Sequence, residues 1–243
     1  MKEPMTGTPP RVDVKPAVAA EKRPARPRVD ADAGFQTLSD PIERIWAKTF
    51  RKNAENEPQR LIVVSPHAGA GNSTVASCIA LGLSRHTRST VLLVEANLVR
   101  PAIARYFGMP LVPGLRNVLE GSVGADQMLR ATKTGLTIVP AGAAKASLAG
   151  EFAGRECDDF FALARRQYRH IVIDAPPPIE CPETRLLFRQ AERCVVVVQG
   201  RQTSIKAAKQ MVELLEESGM EILGTILNDF VPDAPAWMFP SRW

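Results

Sequence analysis

The sequence predicts a doubly wound α/β domain, a mostly parallel sheet with helices on both faces in three layers. Two observations carry that expectation. Short apolar runs rich in β-branched residues recur along the chain, the pattern of strands buried on both faces. Amphipathic stretches of helical length separate them, and such alternation is how a parallel sheet is wound. The 243 residues suffice for one domain of this kind with a tail.

The elements follow in order. Residues 1–34 read as a flexible leader, because Pro4, Pro9, Pro10, Pro16, Pro24 and Pro27 break any helix and there is almost nothing to bury. Lys22, Arg23, Arg26 and Arg28 offer an alternative use as an electrostatic docking arm. A first helix is expected over residues 41–52, with Asp40 as N-cap, Pro41 in the first turn, and Ile42, Ile45, Trp46 and Phe50 at helical spacing. Strands are expected at 61–65, 91–95, 136–140, 170–174, 194–199 and 222–228. Helices are expected at 73–84, 158–166 and 204–218. The folded domain should therefore span 35–230, followed by a proline-rich tail, 231–243, carrying Trp237, Phe239 and Trp243. Those aromatics either dock on a partner or pack on their own domain.

Composition excludes several classes. The net charge of +5 is mild, and no basic–aromatic motif accompanies it, so nucleic acid is not expected as a partner. Cys78, Cys157, Cys181 and Cys194 form no metal-ligand spacing, and Cys78 and Cys194 read as buried free thiols. No apolar run approaches the roughly 20 residues that span a bilayer, and no signal-peptide core is present. The expectation is a cytoplasmic protein, peripheral to the inner membrane through a partner.

The chemistry starts at Ser65-Pro66-His67-Ala68-Gly69-Ala70-Gly71-Asn72-Ser73-Thr74, which leaves a strand and opens a helix. Glycines there let backbone N–H groups close around phosphate, and the helix N-terminus favours its charge. The pattern of such phosphate loops ends G-K-[ST], but this one ends Gly71-Asn72-Ser73. Gly69, Ala70, Gly71, Asn72, Ser73 and Thr74 are the candidate nucleotide-binding residues. A second strand, His170-Ile171-Val172-Ile173-Asp174, ends in an aspartate of the kind that holds Mg²⁺ with the loop hydroxyl. Ser73, Asp174 and Glu95 are the candidate metal ligands.

The chain resembles the bacterial tyrosine autokinases of capsule and exopolysaccharide export, within the MinD/ParA-like branch of P-loop ATPases. The matching residues are Val91-Leu92-Leu93-Val94-Glu95-Ala96-Asn97-Leu98-Val99-Arg100-Pro101, then Phe107-Gly108, Gly114-Leu115, Val118-Leu119-Glu120-Gly121, Pro140-Ala141-Gly142, Asp174-Ala175-Pro176-Pro177 and Asn228. The family writes the first of these V-L-L-I-D-A-D-L-R-R-P. The resemblance implies an ATP or ADP site with Mg²⁺, a base-contacting role for Asn228, and assembly with a membrane polysaccharide co-polymerase. It also implies cycling between a homo-oligomeric ring and free subunits.

Four departures bear on catalysis. Asn72 replaces the lysine, and losing a charge-assisted hydrogen bond of about 1.5–3 kcal/mol weakens nucleotide binding roughly 10- to 150-fold. Glu95 replaces the first aspartate of the second motif, keeping charge but adding a methylene. Asn97 replaces the second, and an amide is no carboxylate base. The tail has no tyrosine cluster to accept phosphate, since Tyr106 and Tyr168 are the chain's only tyrosines. The leading expectation is a kinase-like regulator in polysaccharide export with weak or no catalysis. The alternatives are an active Mg-ATP-dependent tyrosine kinase or ATPase of the same pathway, and a MinD/ParA-like positioning ATPase.

Overall fold

The computed structural model describes the backbone of residues 28–29 and residues 57–144 and 150–229 in full. The helix expected at 41–52 and the aromatic tail lie outside them.

Among the described residues, eight strands form one sheet: β1 (Arg28–Val29), β2 (Arg60–Val64), β3 (Val91–Glu95), β4 (Arg130–Thr132), β5 (Leu136–Val139), β6 (His170–Asp174), β7 (Arg193–Gln199) and β8 (Glu221–Asn228). Their order is β1-β4-β5-β3-β6-β2-β7-β8. From β5 to β8 every pairing is parallel, and only β4 runs antiparallel to its neighbour β5. The helices are α1 (Asn72–His86), α2 (Ile103–Tyr106), α3 (Leu115–Leu119), α4 (Arg155–Gln167) and α5 (Ile205–Glu217), with a 3₁₀ helix at Pro182–Gln190.

The apolar runs are continuous because the sheet is covered twice. Along β2, Leu61 and Val63 join α1 in one core, while Ile62 and Val64 join α4 and α5 in the other. Along β3, Val91 and Leu93 alternate in the same way with Leu92 and Val94. Helix α1 contributes Val75, Ile79 and Leu83 to the first core. The opposite face is filled by Phe160 and Phe161 of α4 and by Met211 and Leu215 of α5. Tyr168 is buried there as well, and Cys78 and Cys194 are buried free thiols as expected.

Two elements depart from expectation. β8 is not buried on both faces. It lies at the end of the sheet, and Leu227 is 51% exposed. None of its residues is fully buried, with Ile222 partly covered on one face and Leu223 and Ile226 on the other, so its apolar run reflects the β-propensity of its residues, not a place inside the sheet. Arg28–Val29, within the predicted leader, pair in parallel with Ala131–Thr132. β4 and the short helices α2 and α3 carry too little periodicity to be foreseen.

Candidate nucleotide site

In a parallel sheet all strands end at the same edge, so the loops after β2, β3 and β6 meet there. Those loops are the three that the sequence singled out. They border an open cleft of about 230 Å³ lined by Ser65, Gly69, Asn72, Ser73, Asn97 and Arg100, among others.

The loop after β2 is shaped by two glycines in the left-handed region, Gly69 at φ 84° and Gly71 at φ 101°. Gly71 caps α1, and a Cβ there would stand 2.2 Å from Nδ2 of Asn228. Asn228 arrives from β8 and donates to the Ala70 carbonyl at 2.9 Å, bracing the loop. A second brace comes from the segment after β7. His67 Nδ1 donates to the Ala68 carbonyl at 3.0 Å, and its Nε2 shares a hydrogen bond with the Thr203 hydroxyl at 2.7 Å. A third comes from the segment after β6, where Glu180 accepts from the Ala68 N–H at 2.9 Å. A carboxylate thus rests against one of the amides that such a loop offers to phosphate.

Asn72 is 8% exposed and turns inward, donating to the Ala175 carbonyl at 3.1 Å, while its Oδ1 has no partner. The position therefore delivers no positive charge to the cleft. Next to it, Asp174 is fully buried and neither carboxylate oxygen has a hydrogen-bond partner. Burial pushes its pKa up to about 8. The neighbouring Ser73 hydroxyl opposes the rise without reaching hydrogen-bonding geometry, and the nearby Glu95 adds to it. A buried carboxylate beside a hydroxyl, with free lone pairs, is a donor set that a hard divalent cation satisfies. Ser73 and Asp174 thus have the chemistry of a Mg²⁺ site.

Glu95 has a different employment. Directly across from Asp174 in the β3–β6 register, it accepts the N–H groups of Ala102 and Ile103 on one oxygen, the latter at 2.6 Å, and of Ala141 on the other at 3.0 Å. Burial raises its pKa, and these backbone bonds hold the rise in check. Its extra methylene lets it cap α2 and pin the Pro140-Ala141-Gly142 turn, so its lone pairs are turned to the backbone. Asn97 lines the cleft, but its Oδ1 accepts the Arg100 N–H at 3.1 Å and closes a turn. Gly114-Leu115 and Pro140-Ala141-Gly142, distant in sequence, are two sides of one contact: Leu115 donates to the Pro140 carbonyl at 2.7 Å and Arg116 to the Ala141 carbonyl at 2.9 Å.

Around the cleft the structure places Gly69, Gly71, Asn72, Ser73 and Asn97, with the buried Asp174 near Ser73. The braces from His67, Glu180 and Thr203 have no spacing signal in the sequence, because their partners lie more than a hundred residues away.

Comparison with known proteins shows what this arrangement is similar to. The chain is 24% identical over 212 residues to the putative tyrosine-protein kinase CapB of Staphylococcus aureus, covering 87% of this chain and 92% of that protein. The chain resembles the bacterial tyrosine-protein kinases. It is also 24% identical over 171 residues to the tyrosine-protein kinase ptk of Acinetobacter johnsonii, but spans only 23% of that longer protein. Among solved structures, the VpsO kinase domain superposes with a TM-score of 0.69 at 24% identity, over 83% of this chain and 95% of that one. The chimerical protein CapA2B2 gives 0.73 at 21%, over 86% and 95%. MinD of Pyrococcus horikoshii OT3, complexed with Mg-ADP, gives 0.57 at 22%, over 72% and 74%. These likenesses establish the P-loop α/β fold. No family model matches the chain.

Proposed function

We propose that this protein is a kinase-like regulatory component of bacterial capsule or exopolysaccharide assembly, with weak or no phosphotransfer of its own. The observation that carries the proposal is the posture of Asn72. Where a lysine would present charge to the phosphates, this side chain is an amide tied to the Ala175 carbonyl. Glu95, the one carboxylate of the second motif, is taken up by three backbone N–H groups, and Asn97 is an amide engaged in a turn. A binding cleft without a lysine and without a free carboxylate base holds nucleotide better than it transfers phosphate.

Mg-ADP or Mg-ATP is the ligand this reading assigns to the cleft. Gly69, Ala70, Gly71 and Thr74 would form the phosphate cradle, and Ser73 and Asp174 would hold the metal, which would neutralise phosphate charge. A membrane polysaccharide co-polymerase is the proposed partner. That assignment draws on the resemblance to CapB and the CapA2B2 chimera. Among the described residues no helix is long and apolar enough to cross a membrane, so such a partner would supply the membrane link.

The test is phosphotransfer from labelled Mg-ATP to tyrosine, on the chain itself and on a polysaccharide co-polymerase from the same cells. The wild type is expected to be slower than Asn72→Lys by about 100-fold or more, while deletion of the gene lowers surface polysaccharide. Rapid tyrosine phosphorylation by the wild type would establish the second reading, an active kinase or ATPase of the same pathway.

A further inference from the structure

The geometry points to Arg100 as the cation that meets the outer phosphates of the nucleotide, in a cleft whose loop has no lysine to do so. This inference rests on the reading of the cleft as a nucleotide site. Among the described residues lining the cleft, Arg100 alone is cationic, and it faces the same space as Gly69, Gly71, Asn72 and Ser73. Its backbone is fixed on both sides. The Asn97 turn holds its own N–H at 3.1 Å, and two residues on, Glu95 clamps Ala102 and Ile103. Pro101 between them limits the remaining freedom.

The guanidinium itself is exposed, and no ion pair or side-chain hydrogen bond engages it among the described residues. Burial pushes the Cys181 thiol up, Glu183 and Glu180 add to the rise, and the Arg100 charge opposes it. Ala68, whose amide Glu180 holds, lines the same cleft. A guanidinium offers a phosphate two parallel N–H donors where an ammonium offers a point charge. Arg100 therefore approaches the outer phosphates from the cleft mouth, in place of a lysine reaching them from within the loop.

The experiment is calorimetric titration of the full-length chain with Mg-ADP at one fixed ionic strength. Arg100→Ala is expected to weaken binding by about 10- to 100-fold, Arg100→Lys by less, and Asn72→Lys in the Arg100→Ala background to restore it. Unfolding midpoints of the variants report that the exposed substitution leaves the fold intact. Equal affinity in wild type and Arg100→Ala overturns this assignment and leaves the nucleotide reading standing. Absence of Mg-ADP binding to the wild type overturns both.

Discussion

A single carboxyl group sets the energetics of the candidate site. Asp174 is buried with no partner, and a carboxylate placed that way costs the fold more than it returns. Its pKa stands near 8, far above its ordinary value near 3.8. The unfolded chain therefore releases this proton at lower pH than the native protein does. The stabilising difference is full below pH 4 and is lost as pH rises toward 8. Asp174→Asn should raise the stability of the ligand-free protein at pH 8 by about 1–3 kcal/mol, flatten that loss, and abolish Mg²⁺-dependent ligand binding. Urea unfolding at pH 5 and pH 8, with and without Mg-ADP, measures all three. The sequence disclosed this residue because an aspartate ending an apolar strand after a phosphate-type loop is a recognisable pair. It did not disclose that Glu95 would turn to the backbone, since one methylene decides where a carboxylate reaches, and that depends on how far away α2 begins.

At the scale of elements, the strands were legible and the contacts between their loops were not. Six apolar runs mark β2, β3, β5, β6, β7 and β8 to within a residue or two, since in the first five burial of alternate residues on two faces leaves few polar positions to interrupt them. The hairpin partner β4, three residues long, has no such run. The turn between Pro140 and Gly142 was visible only through resemblance. Its physical basis is close approach: a Cβ on Gly114 would lie 2.1 Å from the Gly142 nitrogen and 2.4 Å from the Pro140 oxygen. Both are backbone atoms and neither can swing aside. Gly114→Ala should therefore destabilise the protein by about 1–3 kcal/mol and loosen the Ala141 bond to Glu95. A lowered thermal midpoint, with faster hydrogen exchange at Leu115 and Ala141, is the expected signature.

Over the whole molecule, two cores flank one sheet, and the cleft sits where the chain's loops converge at its carboxyl edge. Protection should follow that plan. The N–H groups of β2, β3 and β6 lie in the sheet interior between covered faces, whereas β8 ends the sheet and is largely exposed. Native-state hydrogen exchange should be slowest in the first three and faster by orders of magnitude along β8, because shallow local openings release an edge strand while only global unfolding releases the centre. Asn228 ends that same strand and braces Ala70, so the loop is tied to the least protected part of the sheet. On its other side the loop is tied to Glu180, whose carboxylate rests on the Ala68 amide before any ligand arrives. An anion that takes this amide enters by exchange, since one negative group must leave as another comes in. The time Glu180 needs to let go then belongs to the association rate, and a Glu180→Gln chain would admit its ligand sooner.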